Sequence, residues 1–208
     1  IRAAAHGPRT VRVSAWVRGM GLFEFRELAV RIAARIWPGH LAMLLPRINT
    51  CPISKLASAG LDTLAVRIPH TPSALQLRVA CNLPIAAPSA NPSGQISPTR
   101  AEHVAAGLQD KVSLILDGGP CAVGVESTVI SVTDNGITIL RPGGITADDL
   151  APLTDKPITS AKKDDTISSP GMLLSHYAPK CPVRLNAAHK EQGEAFVGFG
   201  PGLSLKHI

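Results

Sequence analysis

Residues 125–144, VESTVISVTDNGITILRPGG, determine the fold expected for this chain of 208 residues. Two runs rich in valine, isoleucine and threonine, at 125–132 and 137–140, flank the dipeptide Asn135-Gly136. Asn-Gly between such runs is the strongest short-range signal for a β-hairpin, because the tight turn needs positive φ at both central residues. The sequence therefore predicts two antiparallel strands, closed by the glycine-rich segment 141–144.

Helical and strand patterns alternate upstream of this hairpin. Apolar residues recur on one helical stripe over residues 26–37, which predicts a helix that ends at Pro38-Gly39. Thr71-Pro72 and Ser97-Pro98 each place a capping hydroxyl before a first-turn proline, which predicts two more helices. An α/β domain follows from this alternation. Short apolar runs predict its buried strands, at residues 41–45, 64–68, 83–87 and 112–116.

The composition narrows the classes of function. Hydrophobic residues make up 45% and charged residues 17%, which suits a packed globular protein. Aromatic residues are only 3%, which argues against base-stacking platforms for single-stranded nucleic acid. The net charge of +6 predicts a surface that attracts phosphates, and charge alone does not choose among ATP, pyrophosphate and RNA.

The cysteines and the hydropathy indicate a protein of the reducing cytosol. Cys51, Cys81, Cys121 and Cys181 form no Cys-x-x-Cys pair, so neither a zinc site nor a small disulfide framework is indicated. No run reaches the ~18 apolar residues of a membrane span. We expect a cytoplasmic protein without membrane contact.

The chain divides by composition into four parts. Residues 1–25 show no sustained period and stay unassigned, and residues 26–151 form the predicted main domain. Residues 152–180 are rich in lysine, aspartate, serine and proline, which predicts an interdomain linker. Residues 181–208 are interpreted as the start of a truncated second domain, with strands at 183–185 and 195–199, because so short a remainder hardly buries its own core.

Four loops predict an anion site. They share small hydroxyl, amide, glycine and arginine residues, whose hydroxyls and free N–H groups can surround phosphate oxygens. Arg141 adds a guanidinium that can pair with them in bidentate fashion. Each loop lies at an end of a predicted strand, where α/β folds commonly bind ligands. The loops are residues 88–94, 117–120, 126–128 and 141–144.

Together these segments resemble the YrdC family in the family's own order. The main domain is expected to be a twisted mixed sheet flanked by helices with an open basic cleft. Residues 169–172 and 175–179 resemble the linker of the two-domain form, and residues 194–200 resemble the opening of its second domain, so the chain is interpreted as that form truncated at both ends. The matching motifs of the main domain are Pro88-Ser89-Ala90-Asn91-Pro92-Ser93-Gly94, Ser97-Pro98-Thr99, Leu116-Asp117-Gly118-Gly119-Pro120, Gly124-Val125-Glu126-Ser127-Thr128-Val129 and Arg141-Pro142-Gly143.

The resemblance implies an L-threonylcarbamoyladenylate synthase, a nucleotidyltransferase. Such an enzyme condenses L-threonine, bicarbonate and ATP into threonylcarbamoyl-AMP and pyrophosphate, and a partner transferase then modifies tRNA to threonylcarbamoyladenosine. No covalent nucleophile or other catalytic side chain is expected, since the chemistry needs mainly positioning and charge neutralisation. Mg²⁺ is expected with ATP, without a protein metal ligand or a prosthetic group.

The resemblance also implies site residues. Arg67 would pair with the threonine carboxylate, and Ser127 and the main chain at Ala87 would contact the same ligand. His176 and Tyr177 of the linker would close over the cleft. The residues expected to contact ATP are Thr63, Ser89, Asn91, Ser97, Arg141 and Tyr177.

The sequence departs from the family at two places. The family's threonine-containing strand and Lys-x-Arg segment are not found before residue 26. His40-Leu41-Ala42 stands where the family usually has Pro-Leu-Thr, which removes a hydroxyl. These departures keep open an alternative, a catalytically impaired YrdC-like module that binds RNA or a nucleotide.

Two further alternatives rank low. The related carbamoyl-transfer module of hydrogenase maturation proteins has zinc-finger cysteines that this sequence lacks. Ser127, His103 and Asp117 could be drawn as a hydrolase triad, but no Gly-x-Ser-x-Gly elbow surrounds the serine. Glu126 and Asp117 are interpreted as structural turn and cap residues.

Overall fold

The computed structural model describes residues 10–12, as backbone only, and residues 21–58, 60–92, 95–161 and 182–197. Two compact units make up the chain, Ile1–Ala178 and Pro179–Ile208. The first unit is an α/β domain built on one mixed sheet, as predicted.

Seven strands form this sheet within the described residues, in the order β4-β1-β3-β2-β5-β6-β7. The pairs β1/β3, β2/β5 and β6/β7 are parallel, whereas β1/β4, β2/β3 and β5/β6 are antiparallel. The strands are β1 Thr10–Arg12, β2 Leu41–Pro46, β3 Thr63–Arg67, β4 Ile85–Ala86, β5 Thr128–Thr133, β6 Gly136–Arg141 and β7 Ile158–Ser160.

The predicted helices are present, and one begins later than expected. The described helices are α1 Glu27–Ile36, α2 Pro72–Cys81, α3 Ala101–Leu108 and α4 Ala147–Leu150, with 3₁₀ turns at Lys55–Ser58, Gln109–Lys111 and Ala151–Leu153. Helix α3 has Arg100 at its N-cap, so the predicted cap at Ser97 is wrong. The Ser97 hydroxyl is engaged elsewhere, since it donates a hydrogen bond to the Glu126 carboxylate.

The core lies between α1 and the central strands. Helix α1 buries the stripe formed by Ala29, Ile32 and Ala33, as its helical spacing predicts. Strands β2, β3 and β5 each have runs of buried apolar residues, because they lie inside the sheet and are covered. Their largest fully buried side chains are Leu41, Met43, Leu45, Leu64, Val66 and Ile130.

The predicted hairpin is confirmed, with β5 and β6 antiparallel and Thr133 opposite Gly136. Gly136 has φ 140°, and a Cβ there would lie 2.2 Å from the Pro157 carbonyl oxygen. Only glycine fits at this first position of β6, directly after the turn residues Asp134 and Asn135, since both the backbone conformation and the contact exclude a side chain. Near the other end of the hairpin, the pairing register of β5 and β6 shifts between Val129 and Ile130. This β-bulge changes the direction of the last residues of β6.

Two strands predicted from short apolar runs are absent, a third is absent from its described part, and the predicted linker contributes a strand. Residues 112–116 form no strand, and Leu114 and Leu116 are 75% and 58% exposed, because no neighbouring strand covers this run. The segment predicted as a linker contributes β7, which pairs with β6. Residues 183–185 also form no strand, and Arg184 there pairs with Glu194 at 2.6 Å instead. The predicted strand at 195–199 is likewise absent from its described part, 195–197.

A single threonine ties the loop after β6 to the start of β5. The Thr128 hydroxyl accepts the Ile145 N–H at 2.9 Å and donates to the Ile145 carbonyl oxygen at 2.6 Å. Gly143 lies so close that an added Cβ would be 2.3 Å from the Glu126 carbonyl oxygen. This pair of contacts fixes the segment that follows Arg141 against residues 126–128.

Thr128→Val is therefore expected to destabilise the chain. Valine keeps the shape and the β preference, but it leaves the N–H and carbonyl of Ile145 unpaired, at a cost of about 1–3 kcal/mol for each buried group left unsatisfied. Urea unfolding monitored by circular dichroism measures the loss. The matched control is Thr138→Val on β6, because the Thr138 hydroxyl makes a long, weak contact, 3.4 Å from the Thr159 hydroxyl. Equal midpoints for the two variants would contradict the assigned role of Thr128.

Candidate functional site

Arg141, at the end of β6, is fixed by the chain just before β5. Its Nε and Nη2 donate to the Ser127 carbonyl oxygen at 3.1 and 2.8 Å, and Nη2 lies 3.1 Å from the Ser127 hydroxyl. Arg141 is 8% exposed and Ser127 is 4% exposed. The hairpin thus brings together two residues that the sequence predicted for different ligands.

Glu126 connects this pair to a third predicted residue. Its carboxylate accepts a hydrogen bond from the Ser97 hydroxyl and lies 3.8 Å from Arg141 Nη2. The sequence predicts a structural turn residue at Glu126, and in the structure its carboxylate lies between two predicted ATP contacts. Its place immediately before Ser127 in one of the four loops is the signal that could have found it.

Arg67, at the end of β3, lies on the same edge of the sheet. Its Nε donates to the Gly39 carbonyl oxygen at 2.9 Å, just before β2 begins. The next carbonyl, that of His40, accepts the Thr128 N–H at 3.1 Å at the start of β5. Since β2 lies between β3 and β5, residues 39–40 join the Arg67 end of the sheet to the loop that holds Arg141.

His40 is a second site residue whose role the sequence did not predict. Burial lowers the pKa of its imidazole, and the positive charge of Arg67 lowers it further, whereas the Glu126 carboxylate raises it. The net direction is downward, so the ring is held neutral. Its position directly before β2, at a strand end beside a glycine, is the available sequence signal.

The loop 117–121 contacts the Ser97 segment and the start of α2. The Cys121 N–H donates to the Thr99 carbonyl oxygen at 2.9 Å, which joins the loop 117–121 to the Ser97 segment. Asp117 accepts the Gly119 N–H at 2.8 Å, in keeping with its interpretation as a turn residue. A Cβ added at Gly118 would lie 2.9 Å from the Ser73 hydroxyl, so this loop also reaches the first turn of α2.

The loop after β4 holds three of the predicted residues. Asn91 donates to the carbonyl oxygens of Pro92 and Gln95 at 3.0 and 2.8 Å, so its amide shapes the loop. Ser89 is exposed, and Ala87 is half-buried. Their contacts with ligands stay predictions.

Thr63 is not brought to this cluster. Thr63 begins β3 and Arg67 ends it, so the two residues are separated by about 13 Å of extended chain. Tyr177 and His176 lie outside the described residues. The arrangement therefore joins Ser97, Ser127, Arg141 and Arg67, and the ligand contacts predicted for each residue stay predictions.

Metal-ligand and membrane signals are absent from the described part of the chain. No group of three or more His, Cys, Asp or Glu side chains comes together there. None of the helices that the structure describes has the length and apolar character needed to cross a membrane. Cys51, Cys81 and Cys121 carry free thiols.

Two family profiles match the chain. The family described as Telomere recombination, which groups Sua5, YciO and YrdC proteins, matches residues 10–143. The C-terminal domain of threonylcarbamoyl-AMP synthase matches residues 145–202. The first match begins upstream of residue 26, in the segment that the sequence left unassigned.

Curated relatives carry the name threonylcarbamoyl-AMP synthase. The protein from Bacillus subtilis is 44% identical over 164 residues, which cover 76% of this chain and 46% of the relative. The protein from Schizosaccharomyces pombe is 42% identical over 185 residues, which cover 84% of this chain and 45% of the relative. The chain thus spans about half the length of these relatives.

Solved structures agree with the fold. Pyrococcus abyssi Sua5, solved with L-threonine, superposes with a TM-score of 0.77 at 39% identity, over 84% of this chain and 52% of that protein. Escherichia coli YciO shares the fold with a TM-score of 0.60 at 21% identity, over 69% of each chain. The match over residues 10–143 and the identity to these relatives show that the chain belongs to the Sua5/YrdC family.

Proposed function

We propose that this chain carries the ATP- and threonine-binding part of a threonylcarbamoyl-AMP synthase, a nucleotidyltransferase that uses L-threonine, bicarbonate and ATP. The observation that carries the proposal is the cluster at the strand ends, where Arg141 is held by Ser127 and linked through Glu126 to Ser97. The named relatives support the same activity.

The reaction places two demands on the site. The threonine amine attacks carbon dioxide formed from bicarbonate, and an oxygen of the resulting carbamate attacks the α-phosphorus of ATP. A new O–P bond forms, the bond to the β-phosphate oxygen breaks, and pyrophosphate leaves. The protein must hold the two reactants in line and offset the negative charge that gathers on the phosphates.

Arg141 and Arg67 can meet these demands from opposite sides of residues 39–40. The Arg141 guanidinium, already oriented by Ser127, would pair with phosphate oxygens, and the Arg67 guanidinium would pair with the threonine carboxylate. Ser127 would contact threonine, and Ser97 would contact ATP. No side chain need act as a nucleophile, since both attacking atoms belong to the substrates.

Mg²⁺ enters this scheme with ATP. The described residues gather no cluster of carboxylate or imidazole ligands, so the ion would be held by phosphate oxygens and water, as Mg²⁺ commonly is with nucleotides. Its charge would neutralise the leaving pyrophosphate. The product would pass to a transferase that modifies tRNA in the cytoplasm, and no prosthetic group is needed.

Pyrophosphate release tests the proposed activity. The chain is expected to release pyrophosphate from ATP and Mg²⁺ only when L-threonine and bicarbonate are both present, because the carbamate is the attacking group. A coupled phosphate assay after pyrophosphatase measures the release, and D-threonine serves as the control substrate. A chain that binds ATP but never releases pyrophosphate would instead fit the nucleotide- or RNA-binding alternative.

Arg141→Ala is expected to weaken ATP binding about 10- to 100-fold, since hydrogen bonds to charged groups contribute ~1.5–3 kcal/mol. Calorimetric titration with ATP and Mg²⁺ measures the affinity. Cys121→Ala is the matched control: the thiol is exposed, and the substitution keeps the backbone N–H that donates to the Thr99 carbonyl oxygen. Thermal unfolding checks that both variants fold. Equal affinities for the two folded variants would remove Arg141 from the site.

A further inference from the structure

One side chain in the middle of the site has no part in the proposed function. His40 lies between Gly39, whose carbonyl oxygen accepts from Arg67, and β2. Its own carbonyl oxygen accepts the Thr128 N–H, next to the Ser127 that holds Arg141. The backbone of His40 is thus fixed between the two guanidinium-bearing strand ends.

The two ring nitrogens of His40 lie in different surroundings. Nδ1 is buried and has no hydrogen-bond partner among the described residues. It lies against Gly144, where an added Cβ would be 3.1 Å from Nδ1 and 3.6 Å from Cγ. Nε2 makes no hydrogen bond within the described part of the chain and is not among the buried atoms that lack a partner. The residue as a whole is half-buried. Nε2 is therefore the nitrogen that a ligand can reach.

This difference selects one neutral form of the ring. A proton on Nδ1 would be a buried donor without an acceptor, so the proton belongs on Nε2. The charged groups that act on the ring are Arg67, His70 and Arg141, which disfavour a second proton, and Glu126, which favours it. Burial is the largest influence and lowers the pKa, so the ring stays neutral with an Nε2–H donor.

We propose that His40 is a further ligand-binding residue, which donates its Nε2–H to an anionic oxygen bound beside Arg67 and Arg141. The inference rests on the proposed function, which brings two such oxygens to the site, those of the threonine carboxylate and of the ATP phosphates. A neutral donor adds a directed hydrogen bond where two guanidinium groups already supply the positive charge. The shared chemistry is an anionic oxygen, and the experiment separates its two sources.

Two substitutions of the same residue test the assignment. A glutamine amide nitrogen can take the place of Nε2, whereas the shorter asparagine amide reaches only as far as Nδ1. His40→Gln and His40→Asn are compared with the unchanged chain by calorimetry, once with ATP and Mg²⁺ and once with L-threonine. His40→Asn is expected to weaken the binding of one of the two ligands about five- to tenfold, the value of one net hydrogen bond. The affinities of His40→Gln are expected to stay within about twofold of those of the unchanged chain.

The outcomes separate the inference from the proposed function. The ligand whose affinity falls identifies the oxygen that His40 contacts: a phosphate oxygen for ATP, or a carboxylate oxygen for L-threonine. Equal affinities in the two folded variants, whether both unchanged or both weakened, would overturn the role of His40 while leaving the proposed function standing. An unchanged chain that binds neither ligand would contradict the proposed function, and the role of His40 with it.

Nitrogen-15 resonances of the His40 ring in the full chain supply a test that does not depend on the variants folding. The tautomer requires Nδ1 to be the unprotonated nitrogen and Nε2 to be the protonated one. A protonated Nδ1 in the neutral ring would overturn the assignment.

Discussion

The hydrogen bonds between the Arg141 guanidinium and the Ser127 carbonyl oxygen are the constraint on which the site depends. They join the end of β6 to the start of β5, and the glycine turn at the other end of the hairpin sets the distance between these two points. The bulge at Val129 changes the direction of the end of β6. The Thr128 hydroxyl and the close approach of Gly143 hold the loop after β6 against residues 126–128. The orientation of this buried cation is thus determined by the fold.

Electrostatic balance around this cation depends on one carboxylate. Glu126 lies 3.8 Å from Arg141, accepts a hydrogen bond from Ser97, and raises the pKa of His40 against the effect of burial. With Arg67 and Arg141 both at this edge, the site carries more positive than negative charge. Such an excess suits ligands that bring several negative charges.

Local signals in the sequence were enough to predict the hairpin, α1 and the α/β class. Asn135-Gly136 is a strong local signal for a hairpin, and the stripe of α1 follows from helical spacing alone. Strand β7 and the loop at 112–116 were mispredicted because a three-residue strand has no measurable period, and burial of an apolar run depends on a neighbour far along the chain. Motif resemblance pointed to Ser97, Ser127 and Arg141, whereas the contacts of Glu126 and His40 emerge only from the packing across the sheet.

If these strand ends form one site, L-threonine and ATP bind there next to each other. Calorimetric titration of the chain with L-threonine, with and without α,β-methylene ATP, Mg²⁺ and bicarbonate, tests it most directly, because this analogue cannot release pyrophosphate. We expect threonine to bind about 5- to 150-fold more tightly with the analogue present, the usual range of coupling between sites. An affinity for threonine that the analogue does not change would contradict a single site for the two ligands.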